Sequence, residues 1–160
     1  MKRFLLLPVL LILLFGNSGY AAYSTKGEDA FASGDYATAL KEWKPLAEQG
    51  NAKAQAMLGA MYLIGQGVTK DYKGALKWLK LAAEQGDANA QIMLGGMYAI
   101  GQGVTQDFTR SFMWLDIAAS QGQKKSVEIR NKVEKEMTPA DVSKAQELVL
   151  ECVAKNYKDC

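Results

Sequence analysis

Four groups of residues in this chain could do chemistry. The segments GQGVTKDY (65–72) and GQGVTQDF (101–108) set paired glycines beside Val-Thr and, in the first copy, Lys70, a composition found in loops that cradle phosphate. Lys41, Lys44, Lys73, Lys77 and Lys80 could gather an anionic ligand. Cys152 and Cys160 could bridge, exchange electrons or hold a metal, and the acidic residues could move protons. Histidine is missing altogether, which removes the imidazole base and the commonest metal ligand.

Spacing removes most of these options. A Walker-type loop follows a strand and ends in Gly-Lys-Ser/Thr, whereas here Lys70 becomes Gln106 in the second copy while Gly65, Gly67 and Val68 recur. The recurrent residues are those a backbone turn needs, so the segment reads as a hinge. Two cysteine sulfurs without histidine are too few for a zinc site, and a separation of eight is not the Cys-x-x-Cys of a redox pair. No cofactor or metal is expected, and no catalytic residue is assigned. Ser–Lys and paired-carboxylate chemistry stay open at this level.

The elements that carry these residues repeat. Residues 35–70 laid over 71–106 agree at 24 of 36 positions without a gap. Each period reads as two helices. In one, Tyr72, Ala75, Leu76, Leu79, Ala82 and Ala83 fall three and four apart as one apolar stripe. Asp71 stands at its N-cap position and Gly86 just past its end. Asp87 then caps a second helix whose face carries Gln91, Leu94, Gly95 and Tyr98. Gly95 costs a helix interior about 1 kcal/mol, which implies close approach by a neighbouring helix.

The patterns AxAQxMLGxMYxxGQGV and DYxxALKWLxxAAEQG resemble Sel1-like repeats, relatives of the tetratricopeptide repeat. The resemblance implies an all-α, helix-turn-helix solenoid of stacked pairs that usually binds other proteins. It covers residues 34–122 well. Cysteine-rich relatives have been linked to β-lactam binding or hydrolysis, but their cysteines lie within each repeat, and this chain has none there.

The expected organisation is a signal peptide at 1–21, an N-terminal half-repeat helix at 22–33, and a repeat array at 34–137. Its units are about 35–70, 71–106 and a degenerate 107–137, followed by a capping helix and disulfide-closed tail at 138–160. Lys2 and Arg3 precede the apolar run Phe4–Phe15, with Gly19 and Ala21 at the −3 and −1 positions of a cleavage site. Twelve apolar residues make a helix of about 18 Å, too short to anchor in a bilayer core of about 30 Å. Removing the two leader cations leaves 17 basic against 17 acidic residues, a balance with no electrostatic case for nucleic acid.

Pro45 implies a kink or loosening near Lys41–Pro45. Thr138, Pro139 and Asp141 give the last helix a strong start. Eight residues of continuous helix span about 12 Å, too far for a bridge, so a Cys152–Cys160 disulfide requires the helix to stop between them, with Asn156 as its left-handed terminator.

The first helices of the pairs present Lys73, Lys77 and Lys80, with Lys41 and Lys44 at matching positions of the preceding unit; the third unit has Met113 and Asp116 instead. These lysines, with Trp78 and Trp114 as anchors, are the candidate partner-binding residues. The expected function is an exported, non-enzymatic scaffold that binds an unidentified protein or peptide in the bacterial cell envelope, periplasmic or secreted. The alternative is a hydrolase or ligand-binding protein acting on cell-wall material or β-lactams.

Overall fold

Asp35, Asp71 and Asp107 recur every 36 residues, and each opens a helix. Their carboxylates accept from the backbone amides of Thr38 (3.0 Å), Lys73 (3.0 Å) and Arg110 (2.9 Å). Asn51 and Asp87 cap the intervening helices through Ala54 and Ala90 in the same way. The computed structural model describes residues 26–160; the signal peptide expected at 1–21 lies outside them.

Helix α1 covers residues 26–32. It is followed by α2 (Tyr36–Glu48), α3 (Ala52–Ile64), α4 (Tyr72–Ala83), α5 (Ala88–Ile100), α6 (Phe108–Ser120), α7 (Lys124–Glu134) and α8 (Pro139–Ala154). The fold is all-α, with no strand among the described residues. Consecutive helices pack as antiparallel neighbours from α2 to α7, so that α2/α3, α4/α5 and α6/α7 stack as pairs. Helix α8 folds back onto α6.

Apolar stripes of the first helices meet the second helices in a continuous interior. Ala75, Leu79, Ala82 and Ala83 of α4 are fully buried, as are Leu94 and Met97 of α5. Gly59 and Gly95 allow the pairs to stack. A Cβ on Gly95 would lie 2.6 Å from Leu115 Cγ and 3.2 Å from the Ser111 carbonyl oxygen; one on Gly59 would lie 2.7 Å from Leu79 Cγ. The helix propensity these glycines forgo is thus exchanged for backbone approach by the next unit's first helix.

Polar side chains repeat with the same period. Gln55 Nε2 donates to the Ala47 carbonyl (3.0 Å), and Gln85 Nε2 donates to Gln55 Oε1 (2.7 Å). One unit on, Gln91 Nε2 donates to the Ala83 carbonyl (3.3 Å), and Gln121 Nε2 to Gln91 Oε1 (2.8 Å). Each buried glutamine satisfies a carbonyl near the end of one first helix and is itself held from the end of the next. Buried polar groups are tolerable when so paired, and their geometry then fixes stacking register.

Pro45 does not interrupt α2, which runs unbroken from Tyr36 to Glu48. Lys41 and Pro45 both lie on the exposed side, where water can reach the carbonyl that the proline leaves without a donor. Residues after Gly122 keep helix pairing without the glycine contact: Ser126 Oγ of α7 bonds the Leu115 carbonyl instead. Helix α8 opens with a capping box, the Asp141 amide donating to Thr138 Oγ1 (3.2 Å) and the Thr138 amide to Asp141 Oδ2 (3.3 Å).

The glycine contact generates a paired prediction. Gly95→Ala forces overpacking against fully buried Leu115 and lowers unfolding free energy by about 1–3 kcal/mol. Gly96→Ala, one residue away with nothing within 4 Å of its added Cβ, raises it by up to about 1 kcal/mol. Urea denaturation of the two variants checks the opposite signs.

Candidate protein-binding face

The first helices α2 and α4 each bury one flank and offer the other to solvent. On α4 the exposed flank carries Lys73, Lys77 and Lys80, interleaved with Leu76 and Leu81. These five residues, with Glu84 and the distant Asp159, line a cleft of about 420 Å³. Lys80 lies 3.6 Å from Glu84, and Lys77 Nζ sits 5.5 Å from the centre of the Trp78 ring. No carboxylate among the described residues pairs with Lys73, Lys77, Lys41 or Lys44. Lys41 and Lys44 are exposed on α2, one unit earlier. Five exposed ammonium groups thus lie on two successive first helices, one of them tied to a neighbouring carboxylate.

The lysine pattern stops at α6 for a visible reason. Met113, which follows Lys77 by one period, is 1% exposed and shares a cluster with Cys152 of α8. Asp116, one period after Lys80, binds Arg130 of α7. Helix α8 therefore covers on α6 the flank that α4 leaves open.

The two tryptophans separate. Trp114 is 1% exposed inside the main cluster, so it is core and not a surface anchor. Trp78 is half-buried, packed against the first unit's cluster of Trp43, Leu46 and Met61, with one edge left beside Lys77. Trp43, which the sequence reading passed over, is 2% exposed. Its signal was present: one period later its position is Leu79, on the apolar stripe. The neighbouring Glu42, which replaces the later tryptophans, is also buried and accepts from Lys26 Nζ at 2.7 Å. An ion pair to α1 thus fills the space that an indole fills in later units.

The two GQGV segments are joints. Gly65 and Gly101 close α3 and α5 at φ 75° and 71°. A Cβ on Gly67 would meet Tyr36 Cβ at 2.6 Å, and one on Gly103 would meet the Tyr72 carbonyl oxygen at 2.7 Å. Gln66 Nε2 donates to the Tyr36 hydroxyl (3.0 Å), and Gln102 Nε2 reaches the Tyr72 hydroxyl (3.4 Å). Each joint is fastened to the start of the first helix in its own unit. Lys70 lies 5.9 Å from the Tyr72 ring centre.

Five aspartates, Asp35, Asp71, Asp87, Asp107 and Asp141, serve as helix caps. Hydrogen bonds from the Thr138 hydroxyl and then its amide hold Asp141 below the ordinary carboxylate value; Thr38 does the same to Asp35, again with its side chain first. A lowered folded-state pKa stabilises above the unfolded value, and that contribution is lost as pH falls through the folded one. Among the described residues no group of three or more histidine, cysteine or acidic side chains could hold a metal.

At the far end α8 stops at Ala154, and the chain turns back through Asn156 (φ 51°), Tyr157 (φ 65°) and Asp159 (φ 53°). A disulfide joins Cys152 to Cys160, with Cα atoms 5.4 Å apart. Left-handed backbone at non-glycine residues costs on the order of 1 kcal/mol each and persists only where surroundings hold it. The bridge supplies one restraint; the Tyr157 ring supplies another, reaching within 3.4 Å of where a Gly86 Cβ would stand. A second cleft, about 430 Å³, lies between α6 and α8 and shares Asp159 with the first.

The family model described as Sel1 repeat matches residues 52–87 and 88–123, so that each matched unit pairs a second helix with the next first helix. Among solved structures, the chain is similar to c5321, a protective antigen of uropathogenic Escherichia coli strains with an SLR fold. That match has 31% identity and a TM-score of 0.81, over 86% of this chain and 30% of the other. It is also similar to a Sel1 repeat protein from Oxalobacter formigenes, at 30% identity and TM-score 0.66, over 71% of this chain and 46% of the other. The chain thus spans less than half the length of either structure. A search of curated proteins returns no match.

The bridge closes a nine-residue loop, so Cys160→Ser removes about 2.5 kcal/mol of stability on the chain-entropy account. Thermal unfolding with and without a reductant checks it: the wild type should fall to the variant's midpoint on reduction, while the variant stays put. Two titratable thiols in the denatured, non-reduced protein would contradict it.

Proposed function

We propose that this chain, which carries two Sel1 repeats, is an exported scaffold that binds another protein of the bacterial cell envelope on its first-helix face. Sel1 repeats are commonly protein–protein interaction scaffolds, and the SLR-type fold is typically non-enzymatic. The observation that carries the reading is the lysine-lined flank of α4. Among the described residues Lys73 and Lys77 have no carboxylate partner, and Leu76 and Leu81 line the same cleft as apolar contact surface. Charges left unpaired on a helix flank steer and orient a partner, while adjacent leucine and tryptophan edges supply the area that is desolvated. The partner-binding residues of this proposal are Lys41, Lys44, Lys73, Lys77, Lys80 and Trp78.

Export rests on the leader pattern at 1–21 and on the Cys152–Cys160 disulfide, which persists in oxidising compartments. No helix of the described residues is long and apolar enough to cross a membrane. The proposal keeps the division into leader, half-repeat at 22–33, array at 34–137 and closing segment at 138–160. Residues 26–32 and α8 are its two ends: α1 lays Gly27 against Trp43, and α8 covers α6. Catalysis is not part of the reading, in which the carboxylates of Asp35, Asp71, Asp87, Asp107 and Asp141 accept from backbone amides as helix caps.

Cross-linking in intact cells followed by recovery from the envelope tests this. The recovered chain should begin at Ala22 and carry one discrete protein partner. The double variant Lys73→Glu/Lys77→Glu, folded as judged by circular dichroism, should recover about tenfold less of that partner, the scale of two reversed rim charges. Equal recovery would remove the lysine flank from the account.

A further inference from the structure

The closing segment uses the face assigned to partners. Helix α8 lies on the α6 flank that corresponds to the open flank of α4, and residues 155–160 then continue toward α4. Tyr157 packs on Gly86 at the end of α4, joining the cluster that contains Ala82 and Ala83. Asp159 stands in the cleft of Lys73, Lys77 and Lys80, and it also borders the cleft between α6 and α8. The tail is a partition between two hollows of about 420 and 430 Å³.

We propose that residues 155–160 are a tethered surrogate ligand. The partner segment that docks on the first-helix face shares the tail's chemistry, an aromatic side chain with a carboxylate two residues on, and displaces the tail to bind. This rests on the binding face proposed above and names the partner's chemical class and its competitor.

Three observations converge on it. The tail brings one aromatic ring and one carboxylate to the α4 flank, where the open chemistry is a glycine-floored shelf and a lysine cluster. Its hold is incomplete: Asp159 makes no ion pair with the lysines whose cleft it lines, and Asn156, Lys158 and Asp159 are exposed. A segment with more carboxylates gains contacts that the tail does not make. Finally, the tail's shape is maintained against its own preference, with three non-glycine residues in left-handed backbone behind one disulfide. Such a segment keeps its docked shape because the bridge pins it, and opening the bridge loosens it from the shelf.

The test uses the mature chain and the fluorescent peptide probe Asp-Tyr-Glu-Asp-Tyr-Glu-Asp, read by anisotropy. Two variants release the tail by different means. Cys152→Ala/Cys160→Ala opens the bridge that pins the tail's shape while the tail stays joined to α8, and Tyr157→Ala/Asp159→Ala removes the docking groups while keeping the bridge. A tethered competitor at millimolar effective concentration masks its site several-fold, so both variants should bind the probe about fivefold tighter than wild type. Lys73→Glu/Lys77→Glu should abolish the gain. Before probe is added, hydrogen exchange at the end of α4 around Gly86, which the Tyr157 ring covers, should rise in both variants.

Unchanged exchange around Gly86 would overturn the docked tail. Raised exchange without tighter probe binding, including no binding at all, would overturn the surrogate while leaving the face available to other partners. Tighter binding that ignores the lysine reversal would overturn both this inference and the binding face beneath it.

Discussion

The stacking of this molecule depends on two missing side chains. Gly59 and Gly95 let Leu79 and Leu115 of the following first helices approach to distances that a Cβ would forbid. A helix interior gives up about 1 kcal/mol for each such glycine. The close approach aligns successive pairs so that Gln85 can meet Gln55, and Gln121 can meet Gln91, at hydrogen-bonding distance. Hydrophobic burial supplies most of the driving force in a solenoid, but it is tolerant of sliding. The glycine contact and the glutamine chain are not, and together they set one register for all units.

With register set, the exposed flank of one first helix continues that of the last. Chemistry-bearing residues in the joints, such as Lys70 and the GQGV glycines, have local duties, whereas of the five lysines on α2 and α4 only Lys80 is tied to a carboxylate, Glu84. The joints fasten a unit to itself through Gln66–Tyr36 and Gln102–Tyr72. The lysines face outward and are left for something else to meet. Where the face ends, the chain covers it: α8 and the bridged tail replace the next unit and bury Met113, at the position where earlier units keep lysine.

Much of this was legible in the sequence because it is written once per period. The all-α repeat, the aspartate caps, the joints and the need for close approach at Gly95 all follow from residues that recur. What escaped was whatever depends on a neighbour outside the period. Trp78 and Trp114 are equivalent in sequence, yet Trp114 is sealed beneath the end of the array and Trp78 keeps an open edge. Trp43 replaces a stripe leucine, and its burial was readable from alignment with Leu79; its contact with Gly27 was not. Pro45 stays inside a continuous α2, on a side of the helix that faces solvent, a fact that propensity alone does not contain. The placement of Tyr157 and Asp159 over α4 required coordinates, since no local pattern says where a tail turns.

The central claim is that one face of the stack, the first-helix face, meets the partner. Site-specific photocross-linking in cells measures it most directly, with the photoreactive residue placed at Lys77 of α4 or at Asn89, exposed on α5. The account predicts a discrete adduct from position 77 and none from position 89. An adduct from position 89 alone would contradict it, because the binding surface would then be the layer of second helices.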